Sequence, residues 1–323
     1  MKFGMVDRFG RRIDYLRVSV TDRCNLRCIY CKLDDFTLLE REEILTLEET
    51  AHIIKLASEL GIRKVRITGG EPLIRKNIIH LIQMIGNISS INDIAITTNG
   101  TLLPEFAKEL FTAGIKRVNI SLDTLKRERF KEITKQDKLN NVLDGIETVL
   151  RLGFEPVKIN VVVIKGLNED EILDFAELTK RKPLVVRFIE HMPIKEPHSY
   201  FSLGCIKEKL MTIGELTPVS TLKGNGPAFY MKYKNAKGAI GIIAPMSEGF
   251  CNDCNRLRLT ADGRLFPCLM SEKFVDLKGA LRSGGTDREI KHLIKDTILL
   301  KPLSPIDSNG RKIIKKPMAS IGG

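Results

Sequence analysis

Residues 17–32, RVSVTDRCNLRCIYCK, carry Cys24, Cys28 and Cys31 in the spacing C-x3-C-x2-C. The stretch leaves a β-branched run over residues 13–20 and opens into a loop too short to be a domain of its own. Three thiols this close together ask for a metal. A structural zinc site closes a tetrahedron with four ligands, commonly from paired C-x2-C spacings. Three cysteines in this uneven spacing suit three corners of a [4Fe–4S] cube, which leaves the fourth iron open to a ligand from outside the protein. A zinc knuckle that borrows a distant fourth ligand is the competing reading.

From residue 13 onward, short β-branched runs alternate with segments of helical period, the pattern of a parallel sheet with crossover helices. The runs 13–20, 64–68, 93–97, 117–122, 157–164 and 184–189 read as strands. Helices are expected at 77–85, 103–113, 140–152 and 168–179, and one from Thr46, where Glu49 completes a capping box, to just before Gly61. Six such units predict an α/β protein, a partial (β/α)6 TIM-type barrel over residues 1–200. Residues 201–323 form a C-terminal extension.

Strands covered on both faces should be apolar throughout, and these are not. With period-2 alternation, Arg17 and Ser19 share a face, as do Lys64, Arg66 and Thr68. Ala95 lies with Thr97 and Asn99, Asn119 with Ser121 and Asp123, and Lys158 with Asn160. A wet barrel interior that binds an anion accounts for a polar, largely cationic face on five successive strands; solvent-facing edges account for one or two. Parallel barrels place their sites at the C-terminal strand ends. The cysteine loop falls there, as does Gly69-Gly70-Glu71-Pro72, where two glycines would let the backbone pass close to a ligand and Pro72 suits a first helical turn.

A second set, Cys251, Cys254 and Cys268, is spaced C-x2-C-x13-C. It again supplies three thiols, with His292 or Cys205 as the candidates to complete a zinc site instead. Arg256 and Arg258 follow at i, i+2 and would point the same way on an extended segment, suited to phosphates or a base edge.

Seven cysteines grouped three, three and one argue against a disulfide framework and for metal sites in a reducing cytoplasm. No apolar run is long enough to span a membrane, and the N-terminus has no signal-peptide pattern. The net charge of +12 would suit a polyphosphate, an anionic surface or nucleic acid. No tryptophan and five tyrosines weaken the single-strand-stacking form of the last.

C-x3-C-x2-C with Tyr30 before its last cysteine, followed by GGEP, resembles the radical S-adenosylmethionine (SAM) superfamily. The second cysteine set, the R-x-R after it, Arg187-Phe-Ile-Glu-His-Met-Pro193 and the terminal Gly322–Gly323 narrow the resemblance to the molybdenum cofactor biosynthesis protein A family. That family implies a GTP 3′,8-cyclase with two [4Fe–4S] clusters and SAM. In it a 5′-deoxyadenosyl radical takes hydrogen from ribose C3′ of GTP, and C3′ joins C8 in the first step of molybdopterin biosynthesis.

By this resemblance Cys24, Cys28 and Cys31 hold the SAM cluster, and Cys251, Cys254 and Cys268 hold a substrate cluster. Tyr30, Gly70, Ser121 and Met192 line SAM. Arg17, Arg66, Thr97, Lys158, Arg256 and Arg258 contact GTP, with Lys64 and Arg187 as further candidates, and Gly322–Gly323 reach into the site. No acid or base is required of the histidines, and His191 reads as structural. The partners implied are GTP, a reducing electron donor and the next enzyme of the pathway, with no nucleic acid and no membrane; a homodimer is left open. A two-cluster radical SAM enzyme that modifies a peptide is the alternative, and a zinc-bearing nucleic-acid-binding protein is the non-enzyme reading.

Overall fold

The computed structural model describes residues 5–31, 37–192, 201–220, 227–245, 247 and 251–304. The expected strands form: β1 (Tyr15–Ser19), β2 (Lys64–Thr68), β3 (Asp93–Thr98), β4 (Arg117–Ser121), β5 (Val157–Val163) and β6 (Leu184–Glu190). They pair in chain order, all parallel. The connecting helices are α1 (Leu47–Leu60), α2 (Ile78–Gly86), α3 (Leu103–Thr112), α4 (Arg127–Thr134), α5 (Leu139–Arg151) and α6 (Ile172–Arg181). The Thr46–Glu49 capping box starts α1, and Gly61, at φ 131°, ends it in a backbone conformation that a side chain would resist.

One face of the sheet carries Leu16, Val18, Val65, Ile67, Ile96, Val118, Ile120, Ile159, Val186 and Phe188. They join Ile53 and Ile54 of α1, Leu81 and Ile82 of α2, Val142 and Ile146 of α5, and Phe175 of α6 in one buried cluster. This apolar half of the alternation fixes the register, because a one-residue slip would turn every strand's charges into the core.

The C-terminal extension is not a separate layer. Among the described residues it adds α7 (Leu203–Met211), β7 (Leu216–Pro218), β8 (Phe229–Tyr233), β9 (Ala239–Ile243), β10 (Arg256–Leu259), β11 (Arg264–Phe266), β12 (Val275–Asp276), α8 (Leu277–Arg282) and α9 (Asp287–Leu299). Its strands continue the sheet at both sides in the order β12-β11-β10-β1-β2-β3-β4-β5-β6-β9-β8-β7. Strand β10 lies parallel to β1, and β9 lies parallel to β6. The sheet therefore has two ends and stays an open barrel.

The join at β6 depends on Gly238. A Cβ there would stand 1.9 Å from the Leu184 carbonyl oxygen and 2.8 Å from that of Lys182. Gly238→Ala is expected to push β9 off β6 at a cost of about 1–3 kcal/mol. Chemical denaturation reads this as a lowered midpoint, and an unchanged midpoint would show that the approach of the two strands is not needed.

Candidate functional site

The face opposite the core carries the charges in rows. Arg258, Arg17 and Arg66 stand in register on β10, β1 and β2. Thr97, Asn119 and Lys158 form a second row on β3, β4 and β5. Ser121, Asn160, Arg187 and Gly241 form a third across β4, β5, β6 and β9. Gly241 is the one position in this row without a side chain, and a Cβ there would meet the Arg187 Cγ and the Tyr230 ring, each at 2.9 Å.

This face walls a cavity of about 360 Å³, within the size range of small-molecule sites. All six cysteines of the two triads line it, as do Tyr30, Gly70, Ser121, Met192, Arg17, Arg66, Thr97, Arg256, Arg258 and Arg187. Two of the named cations stand outside the lining. Lys158 is buried behind it, donating to Tyr230 Oη at 3.1 Å, and Lys64 pairs with Asp14 at 3.3 Å. Gly322–Gly323 and Pro193 lie outside the described residues. His191 lines the cavity, its ring edge-on to Tyr30 at 6.2 Å.

The two triads sit at opposite ends. Cys24 follows the C-terminal end of β1, whereas Cys254 precedes β10, whose Arg256 is level with Tyr15 at the start of β1. The length of β1, roughly 13 Å at about 3.3 Å per residue, lies between those levels. The site thus runs through the barrel interior instead of resting only on the C-terminal strand ends. Neither His292 nor Cys205 is on the cavity wall: His292 faces Asp296 on exposed α9, and Cys205 is exposed on α7 beside Ser202. Among the described residues no three His, Cys, Asp or Glu side chains converge to hold a single ion. Each triad supplies three thiols, the number that a cube with one open iron takes from the protein.

The first cysteine loop is strapped from two sides. Arg27 and Ile29 donate their amides to the carbonyls of Thr134 and Ile133 at the end of α4, at 2.9 and 3.0 Å. The glycine pair forms the other strap, with Gly70 N on Thr21 O at 2.7 Å and Glu71 N on Arg23 O at 2.8 Å. A Cβ on Gly70 would lie 2.1 Å from the Arg23 carbonyl oxygen. Gly70 is therefore required by the cysteine loop pressing on it, and it also lines the cavity.

Pro72 does open a helical turn, a 3-10 helix over Pro72–Ile74. Beside it, buried Glu71 accepts from Leu73 N (3.0 Å), Thr98 Oγ1 (2.8 Å) and Asn99 N (2.7 Å). Asn99 in turn reaches Cys24 Sγ at 3.7 Å and Asn25 Oδ1 at 2.7 Å. Tyr30 donates its hydroxyl to Asp123, whose other oxygen accepts from Val162 N at 2.8 Å. Asp123 thus holds the Tyr30 ring in place. At the far end, burial pushes the Cys254 thiol up, but Arg256 and Lys301 outweigh it and bring it down to about 7.

The cations are crowded. Burial, and then the charge of Arg258, brings Arg17 well below its usual range, and burial with Arg256 lowers Arg258 to about 10. Burial and the charges of Arg187 and Arg66 bring Lys158 down to about 7. Among the described residues, two buried donors of the cavity wall, Arg66 Nη1 and Arg187 Nε, and one acceptor, Asn160 Oδ1, find no hydrogen-bond partner. Buried donors are costly to leave unmade, so this wall fits an anionic, hydrogen-bonding ligand, and the two sulfur triads fit iron–sulfur clusters. No motif marks Tyr15, Asn160, Tyr230 and Lys301 as site residues; Tyr15 and Asn160 carry a signal in their place on the polar face of expected strands.

Burial raises Glu71 from the usual 4.5 to about 7. Between those values the folded chain holds a proton that the unfolded chain has lost, so stability falls as pH rises through the window and levels off above it. Glu71→Gln is expected to flatten that slope in denaturation series from pH 4.5 to 8, with Asp123, raised by burial to about 6, carrying the remainder. A variant that keeps the full slope would move the titration elsewhere.

Residues 18–179 match the model of the radical SAM superfamily, and residues 184–304 match that of the molybdenum cofactor synthesis C-terminal region. The chain is 48% identical over 326 residues to the GTP 3′,8-cyclase of Thermodesulfovibrio yellowstonii, covering 99% of this chain and 100% of that one. To the enzyme of the same name from Pelotomaculum thermopropionicum it is 48% identical over 329 residues, with the same coverage. Among solved structures, Streptococcus suis SuiB superposes with a TM-score of 0.64 at 15% identity, covering 94% of this chain and 70% of that one, a likeness of fold. The chain belongs to the GTP 3′,8-cyclase family of the radical SAM superfamily.

Proposed function

We propose that the protein is a GTP 3′,8-cyclase acting in the first step of molybdopterin biosynthesis. The observation that carries this is the joint lining of one cavity by two cysteine triads, at opposite ends, and by the arginine row between them. In this reading Cys24, Cys28 and Cys31 hold the cluster that binds SAM, with Tyr30, Gly70, Ser121 and Met192 around SAM. Cys251, Cys254 and Cys268 hold the second cluster. Bound there, the first cluster and SAM would supply a 5′-deoxyadenosyl radical able to take hydrogen from C3′ of GTP, and joining C3′ to C8 would then consume one further electron from the reductant and one proton.

The chain's own work is positional. Arg17, Arg66, Thr97, Arg256 and Arg258 hold GTP along the wall, Arg187 adds a further guanidinium, and Lys158 contributes its charge from behind. The rigid β-strands that carry these groups keep C3′ turned toward the first triad, and the enclosed site limits loss of the radical to water. No histidine needs to act as a general acid or base. The barrel over residues 1–200 bears the radical chemistry, and the described residues beyond 201 extend its sheet at both sides and supply the second triad.

An external reductant must feed the first cluster, and the product passes to the next pathway enzyme. Cytoplasmic placement agrees with the reduced thiols that both triads need; among the described residues no helix is long and apolar enough to cross a membrane. The peptide-modifying alternative has only a 15% identical fold likeness behind it, against 48% identity over nearly the whole chain.

The test is anaerobic turnover of iron-reconstituted protein with SAM, a low-potential reductant and GTP deuterated at C3′. The expected result is deuterium in 5′-deoxyadenosine together with a cyclised nucleotide. Unlabelled 5′-deoxyadenosine with GTP unconsumed would reject GTP as the substrate.

A further inference from the structure

Two buried cations stand behind the second cysteine triad, and neither belongs to the arginine row. Arg11, paired with buried Asp7 at 2.6 Å, donates through Nη1 to the carbonyl of Cys251 at 2.6 Å. Its Nη2 donates to Pro302 O at 2.7 Å, just past α9. Lys301, 3% exposed, donates to Arg256 O and Pro267 O, each at 2.8 Å. Those carbonyls flank Cys254 and Cys268. Between them, the two cations grip the backbone beside all three cysteines.

Burying an ammonium is expensive unless opposite charge compensates it. Among the described residues no carboxylate pairs with Lys301. The anionic groups that act on it are Cys254, with which it shares a hydrogen bond, and Cys268, while Arg11 acts as a like charge. The arrangement makes sense when the triad carries fixed negative charge, as thiolates on a cluster do.

We propose that Lys301 and Arg11 are positioning residues for the second cluster, fixing the backbone that carries its thiolates, and that Lys301, whose charge no carboxylate of the described residues offsets, raises its reduction potential. This rests on Cys251, Cys254 and Cys268 being [4Fe–4S] ligands. Reduction adds one negative charge to the cluster, and a buried positive charge beside a ligating sulfur favours that reduced form; net charge and hydrogen bonds to sulfur are known levers on such potentials.

The test compares Lys301→Met and Lys301→Arg with the unaltered position, all in a chain whose Cys24, Cys28 and Cys31 are replaced by alanine so that one cluster reports. Iron is counted, and the cluster is titrated with a low-potential reductant under electron paramagnetic resonance. At the potential where the Lys301 protein is half reduced, Lys301→Met should raise the oxidised-to-reduced ratio about tenfold, about 59 mV for a one-electron couple. Lys301→Arg should stay within about twofold of the Lys301 protein. Loss of iron from Lys301→Met but not from Lys301→Arg would support the same assignment, because the retained charge is what separates them. An unshifted midpoint in Lys301→Met, or equal iron loss in both variants, would overturn it. Zinc, or no iron, in the Lys301 protein itself would instead remove the cluster reading on which it rests.

Discussion

Arg258, Arg17 and Arg66 occupy the same level of three adjacent strands, and their mutual repulsion is the constraint the rest of the structure answers. Unit charges about 5 Å apart repel by about 3 kcal/mol at an effective dielectric near 20, and burial adds to that cost. The apolar opposite face holds the strands in register against this repulsion. Hydroxyls take part of the load, Tyr15 for Arg66 and Tyr230 for Lys158. A polyanion in the cavity would relieve the remainder, which is why a nucleotide triphosphate suits the wall better than a neutral peptide.

Loops at the C-terminal ends of the strands are locked by buried carboxylates rather than by the charged wall. Glu71 holds the turn after β3 through Thr98 and Asn99. Glu171 holds the turn after β4 through Thr124 Oγ1 at 2.6 Å and Leu125 N at 2.7 Å. Glu190 binds Leu203 N at 2.9 Å and Ser247 N at 3.1 Å, tying the start of α7 to the segment after β9. These carboxylates bind backbone amides and hydroxyls, and Glu171 also pairs with Arg129, which is not on the cavity wall, so the guanidiniums along the cavity keep their charge for a ligand. Radical chemistry needs that rigidity, because a reactive carbon must meet one hydrogen and no other.

Much of this was legible in the sequence because two periodicities coincide. The β-branched runs gave β1 to β6 to within about two residues at each end, and the alternation within them exposed the cationic face before any coordinates. The cysteine spacings marked both triads. What the sequence hid is long-range. The pairing of β10 with β1 joins residues more than two hundred positions apart, and β9, AIGII, offers no alternation to announce a partner. Helix α4 was missed because RERFKEIT buries little more than Phe130 and Ile133, yet its last carbonyls hold the first cysteine loop. Arg11 and Lys301 belong to no motif, and only burial gives them meaning. Lys158 shows the converse, a cation on the right face whose side chain ends on Tyr230 rather than on the cavity.

On the proposed function, the buried arginine wall holds the phosphates of a nucleotide. Calorimetric titration of the anaerobically reconstituted protein with GTP and then with guanosine tests it most directly. The account predicts that GTP binds at least about a hundredfold more tightly, roughly 2.7 kcal/mol, and that the gap shrinks as salt is raised. Equal affinity for the two would contradict it, since the wall would then contribute nothing that the base and ribose do not.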